Sequence, residues 1–125
     1  MLNEKLLEIL SHETDGAVTI VSRGEKGAHL VNTWNSYIEV VDGDRLLIPI
    51  AGFKKTEDNL SYNNRLQLSI CNREVDGYQF KGTGLIVEGK GEILNEGAEF
   101  DLMKEKFPWI RGILSVEVES VKQTL

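Results

Sequence analysis

The sequence predicts a mainly β fold, a small six-stranded Greek-key barrel closed on itself with short helices tucked between strands. Three observations lead there. Short runs rich in Val, Ile and Thr recur along the chain, punctuated by Gly and Asp turns. Helical patterns are few and unevenly placed, unlike the regular alternation of βαβ units. A long run over 83–94 puts two glycines on its inward face, as a barrel corner requires.

The elements follow in order. Residues 2–12 have helical spacing, with Leu2, Leu6, Ile9 and Leu10 on one face and Glu4, Lys5 and Glu8 away from it. Gly16 ends that region, and the β-rich run 17–21 begins a first strand. Gly24-Glu25-Lys26-Gly27 turns the chain into strands over 28–33 and 37–41. Asp42-Gly43-Asp44 is a hairpin signal, and the strand it opens, 45–51, is apolar on both faces, as a central strand would be. Residues 54–64 break the β pattern and predict a short helix, with Thr56 a candidate cap and Glu57 and Asp58 favourable in its first turn. Strand character resumes over 66–71. In 83–94, Leu85, Val87, Gly89, Gly91 and Ile93 share one face and Glu88, Lys90 and Glu92 the other. A helix over 97–107 stops at Pro108, and the last strand, 114–121, alternates Val116 and Val118 with Glu117 and Glu119.

The chain has 125 residues, so one domain spanning 1–125 is expected. Its 20 acidic and 14 basic residues give a net charge of −6, and the basic residues are scattered, which argues against a nucleic-acid partner. Cys71 is the only cysteine and reads as a core thiol, so no disulfide framework is expected. The start Met-Leu-Asn-Glu-Lys lacks a secretory h-region and no apolar run approaches ~20 residues, so the expectation is a cytoplasmic protein without a membrane span.

Familiar catalytic devices are missing. Gly82-Thr83-Gly84 begins like a dinucleotide fingerprint, but position 87 is Val and the segment enters a strand rather than a helix. There is no Walker loop and no nucleophile elbow, and His12 and His29 lack a carboxylate at ligand spacing. No catalytic or metal-ligating residue is assigned.

The run His29-Leu30-Val31-Asn32-Thr33-Trp34-Asn35-Ser36-Tyr37 stands out. It puts two large aromatics and four small hydrogen-bonding side chains into a strand-like segment, where each polar group needs a partner. A flat aromatic ligand with polar edges, such as a flavin, would supply partners and a stacking surface. Asn32, Thr33 and Ser36 would then meet its edge, and Trp34, Tyr37 and Trp109 its faces. The alternative is a tight hairpin capped by a surface Trp. Lys54-Lys55-Thr56 puts two cations and a hydroxyl at a helix start, suited to a phosphate, although an exposed basic loop is the plainer reading. Thr83 and Gly84 could bring backbone donors near a phosphate or ring, or form a tight turn.

The 29–37 run resembles the signature stretch of the small FMN-binding proteins of the flavin split-barrel superfamily, to which pyridoxamine 5′-phosphate oxidase also belongs. The likeness continues through Ile48-Pro49-Ile50-Ala51-Gly52, Lys55-Thr56-Glu57, Gly82-Thr83-Gly84 and Gln123-Thr124-Leu125, nearly the whole chain. It implies a split barrel that dimerises and binds one FMN per subunit near the dimer interface. By that likeness Asn32, Thr33 and Trp34 line the flavin with Tyr37 and Trp109 near the ring. Pro49 and Gly52 belong to the same lining, Lys54 or Lys55 with Thr56 holds the phosphate, and Leu125 reaches the flavin of the partner subunit. The chain departs from the pattern at Ala51-Gly52, where the family carries Gly-Gly, and at Lys54, which replaces a different basic residue. The implied function is electron transfer or simple flavin oxidoreduction with a separate redox partner. The alternatives are a pyridoxamine-phosphate-oxidase-like enzyme, a deazaflavin-dependent reductase, or a non-catalytic interaction module.

Overall fold

A computed structural model describes residues 3–125. Leu2, expected on the apolar face of the first helix, lies outside the described residues. Helix α1 is Glu4–Ser11, with Leu6 and Ile9 fully buried and Leu10 partly so, as the 3.6-residue spacing requires. Asn3 caps it, its Oδ1 accepting from Lys5 N at 2.8 Å and Leu6 N at 3.1 Å.

Strands β1 (Ala17–Gly24) and β2 (Gly27–Trp34) form a hairpin in unbroken antiparallel register. The expected strand over 37–41 is shortened. A 3-10 turn, Asn35–Tyr37, intervenes before β3 (Glu39–Val41), because the Asn35 and Ser36 side chains are held by the chain before β1. The remaining elements are β4 (Arg45–Ile50), α2 (Lys54–Tyr62), β5 (Arg65–Asp76), β6 (Lys81–Leu94), α3 (Ala98–Lys106) and β7 (Gly112–Gln123).

All seven strands lie in one antiparallel sheet ordered β2-β1-β5-β6-β7-β4-β3. Laid flat, its two edge strands would stand six spacings, about 29 Å, apart. Only four residues separate Trp34 at the end of β2 from Glu39 at the start of β3, a reach of about 17 Å at most. The sheet must therefore roll until its edges approach. No ladder joins β2 to β3, so the roll stays open; its seven strands answer to the seven strand-like runs in the sequence, one more than the six-stranded barrel expected, with β3 cut to three residues.

The rolled face encloses the main core, built from Val18, Ile20, Ile48, Leu68, Ile70, Leu85, Val87 and Val116 and closed by Leu6 and Ile9 of α1. The β4 strand is apolar on both faces for a reason other than central position. It lies second from the edge, and α3 covers its outer side through a second cluster of Leu47, Met103, Ile110 and Ile113. On β6 both inward glycines are needed. A Cβ on Gly89 would run into the Glu117 carbonyl at the β6–β7 bulge, and one on Gly91 would press on Leu66 Cδ2. Cys71 is not a core thiol. Leu66, Leu68 and Ile70 take the inner face of β5, and the two-residue period leaves Cys71 exposed on the other.

Candidate functional site

The hairpin that dominates the sequence uses much of its polarity on itself. Thr19 Oγ1 donates to Asn32 Oδ1 at 2.9 Å. Asn35 is buried: its Nδ2 donates to Ile9 O at 3.3 Å and its Oδ1 accepts from Gly16 N. Ser36 donates its hydroxyl to Asp15 Oδ2 at 2.9 Å and its amide to Asp15 Oδ1 at 3.1 Å. These bonds pin the 3-10 turn to α1 and the approach to β1, so the expectation that Ser36 serves a ligand edge is corrected. Thr33 is buried on the inner face, whereas Trp34 points outward at 49% exposure.

Tyr37 and Trp109 are brought together. Their rings lie 5.7 Å apart, and Phe107 contacts both at 5.3 and 5.7 Å. Trp109 remains 49% exposed, so this cluster offers an aromatic face to a ligand.

The start of α2 is built differently from the expectation. Phe53, in the left-handed region at φ 64°, precedes the helix without a side-chain cap, so Thr56 is not the capping residue. Thr56 sits instead in the first turn, fully buried, and its hydroxyl has no hydrogen-bond partner. The first helical bond runs from Glu57 N to Phe53 O at 2.9 Å, so the amides of Lys54, Lys55 and Thr56 precede it and have no intrahelical acceptor. Lys54 leans to Glu57 at 3.9 Å, while Lys55 is exposed and makes no ion pair among the described residues. Such a cluster of free donors, a cation and an orphaned hydroxyl fits a phosphate. Gly52 lies in the exposed loop just before it, and Pro49 is buried in β4.

The remaining expected residues lie elsewhere. Thr83 and Gly84 start β6 beside the chain end: Thr83 Oγ1 donates to Leu125 O at 3.0 Å, and Thr124 N donates to Gly84 O at 2.8 Å. A Cβ on Gly84 would press on two side chains, Thr124 Oγ1 at 3.0 Å and Cys71 Sγ at 3.1 Å. The Thr83 hydroxyl is thus committed to the chain. An open groove of about 790 Å³ runs past Thr83 and Leu125, bordered by Cys71, Gly82 and the exposed Tyr78 and Phe80. At its mouth Lys81, 3.0 Å from Glu74, holds that carboxyl below its usual range, first by the hydrogen bond and then by charge.

The β7 ladder measures the separation. Its residue Ile113 pairs with Pro49 and its residue Gln123 with Leu85. Ten residues of strand, on the order of 30 Å, divide the Pro49–Gly52 end from the Thr83–Leu125 end. The expected site residues therefore form two groups within one chain. Sequence reasoning missed Asn35, Phe107, Arg111, Tyr78 and Phe80. Asn35 carried a signal as part of the 29–37 run, and the aromatics as large apolar side chains in or beside loops; Arg111 carried none.

No protein-family model matches the chain. It is 40% identical over 125 residues, all of both chains, to the FMN-binding protein of Nitratidesulfovibrio vulgaris (strain DSM 19637 / Miyazaki F). Among solved structures it superposes on HupZ of Group A Streptococcus with a TM-score of 0.78 and 15% identity, covering 98% of this chain and 94% of that one. It superposes on a putative pyridoxamine 5′-phosphate oxidase of Lactobacillus delbrueckii with a TM-score of 0.72 and 13% identity, covering 97% and 93%. Those structures share the fold. Identity of 40% along the full length of the Nitratidesulfovibrio protein goes further, and the chain belongs to the same family as that FMN-binding protein.

Proposed function

We propose that this chain binds FMN and acts in electron transfer or simple flavin oxidoreduction. The observation that carries the reading is the first turn of α2, where a buried, unpartnered Thr56 hydroxyl, free amides and an uncommitted Lys55 come together. An anion there would satisfy donors that the protein leaves unsatisfied, at an end of the helix that favours negative charge. The family relationship makes that anion the phosphate of FMN. Trp34 and the Tyr37–Trp109 pair supply aromatic surface for the ring. When bound, FMN supplies the one- and two-electron chemistry, and the chain supplies position and burial.

The separation along β7 bears on assembly. Leu125 and Thr83 are too far from Pro49 and Gly52 to share one mononucleotide within a chain. In a two-fold dimer the groove beside Leu125 would meet the flavin end of the partner, and Tyr78 and Phe80 would lose their exposure. The site is then completed by the second copy. The net charge of −6 favours a positively charged redox partner, so the exchange rate should fall as ionic strength rises.

A pyridoxamine-phosphate-oxidase-like activity needs a second phosphate site. Three of the arginines available to build one are occupied: Arg45 by Glu99 and Asp42, Arg65 by Glu119, and Arg111 by Glu57. The hydrogen bonds to Glu99 and then Asp42 push the Arg45 guanidinium above its ordinary value, which ties it to that network. Among the described residues no cluster of three or more His, Cys, Asp or Glu is placed to hold a metal ion.

The test is an absorbance spectrum of freshly purified protein with FMN titrated in, alongside its mass in solution. Oxidised-flavin bands saturating at one per chain in a dimer are expected. A protein that takes up no flavin refutes the function, and a flavin-loaded monomer refutes the assembly.

A further inference from the structure

Arg111 lies just before β7, outside the residues so far assigned to the cofactor. Its backbone N–H donates to Ile50 O at 2.9 Å. Its Nε donates to Ala51 O at 3.1 Å and Gly52 O at 3.0 Å, and its Nη2 donates to Gly52 O at 2.7 Å. The same Nη2 lies 3.1 Å from Glu57 Oε1. One guanidinium thus gathers two consecutive carbonyls of the loop and the carboxylate of the first helical turn. Lysine has no planar fork with which to do this.

The consequences for an anion at α2 follow from peptide geometry and charge. In a trans peptide the C=O and N–H point in opposite directions. Turning the Ala51 and Gly52 carbonyls toward Arg111 therefore turns the Gly52 and Phe53 amides away from it. Those two amides run directly into the free amides of Lys54, Lys55 and Thr56. Phe53 holds a left-handed conformation that side chains rarely adopt, so the loop needs contacts to keep it there. The second consequence concerns Glu57. A carboxylate in the first turn suits the helix but opposes a second anion at the same place. With Arg111 at 3.1 Å and Lys54 at 3.9 Å, the Glu57 charge is offset by two cations.

We propose that Arg111 is a positioning residue for the phosphate site, setting the 51–53 loop so that its amides join the α2 N-terminus and neutralising Glu57. The inference rests on the FMN reading above and deepens it. Arg111 acts without touching the phosphate. It joins the start of β7 to a loop about sixty residues earlier.

The test uses the full chain and compares the dissociation constants of FMN and riboflavin, whose ratio reads the phosphate alone. The variants are Arg111→Gln, Arg111→Lys, Glu57→Gln and the Arg111→Gln/Glu57→Gln pair. Arg111→Gln is expected to cut the FMN preference about tenfold while riboflavin binding holds, the equivalent of one charge-assisted hydrogen bond. Arg111→Lys, which keeps the charge without the fork, falls between it and the parent. Adding Glu57→Gln to Arg111→Gln restores about threefold of the loss, because the unpaired carboxylate is gone. A preference undiminished in Arg111→Gln overturns the proposal. So does a loss that Glu57→Gln leaves unrepaired, which is the result of direct contact between Arg111 and the phosphate. Should Arg111→Gln not fold, Glu57→Gln alone decides: preference at or above the parent supports the proposal, and a fall overturns it. A parent that binds FMN and riboflavin alike overturns the phosphate reading, and this inference with it. A parent preference that is indifferent to Arg111 overturns this inference alone.

Discussion

The 29–37 hairpin and the start of α2 were both expected to meet the cofactor, and they are built in opposite ways. The hairpin carries the louder sequence, yet Asn32, Asn35 and Ser36 find partners in Thr19, Ile9, Gly16 and Asp15. The α2 start carries an ordinary-looking Lys-Lys-Thr, yet it holds a buried hydroxyl with no partner and a row of free amides. A polar run inside an apolar segment signals a demand for hydrogen bonds, and nothing in the run says whether chain or ligand meets it. Unmet demand is the better marker of a ligand, and it is visible only once the fold is known.

The sharpest way to break this contrast is Asn35→Ala. Its amide bonds the chain on both sides, so the loss should cost about 2–3 kcal/mol in urea unfolding of the flavin-free protein. Flavin affinity of the folded variant should stay close to that of the parent. If stability holds while affinity drops, the hairpin amide serves the cofactor and the contrast fails.

At the other end, Lys55→Ala should weaken FMN about tenfold and leave riboflavin nearly unchanged, the cost of one charge-assisted contact. Lys54→Ala should do far less, because Lys54 is three-quarters exposed and leans to Glu57. Titrating both ligands into both variants separates the two lysines. A larger effect at Lys54 would reverse their assignment.

Much of the fold could be read from periodicity alone. The α1 face, the inward glycines of β6 and the alternation of β7 all appear where the pattern put them, because each depends on spacing within one element. What escaped depended on contacts between distant segments. The apolar outer face of β4 is explained by α3, some fifty residues later, and the rolling that brings β2 toward β3 by the short reach of the four residues between them. Cys71 was misplaced by phase, since its composition suits either face of a strand. Arg111 had no signal at all: its role exists only where β7 meets the loop before α2.

The smallest expected effect has the most telling sign. Thr56→Val keeps the shape of the side chain and removes the hydroxyl that has no partner. A buried hydroxyl without a hydrogen bond carries an unrecovered desolvation cost, so the flavin-free variant should gain about 1 kcal/mol. For a domain of this size that is roughly 3–6 °C in Tm. The same change removes a donor from the phosphate site, so FMN should bind less tightly and raise Tm by less than it does in the parent. A residue kept for packing alone would show no such crossing, since valine would then stabilise the protein equally with and without FMN. Thermal unfolding of the two proteins with and without FMN reads both halves at once. A variant less stable than the parent without flavin would mean that the hydroxyl has a partner in the chain after all, and the unmet demand at α2 would lose its meaning.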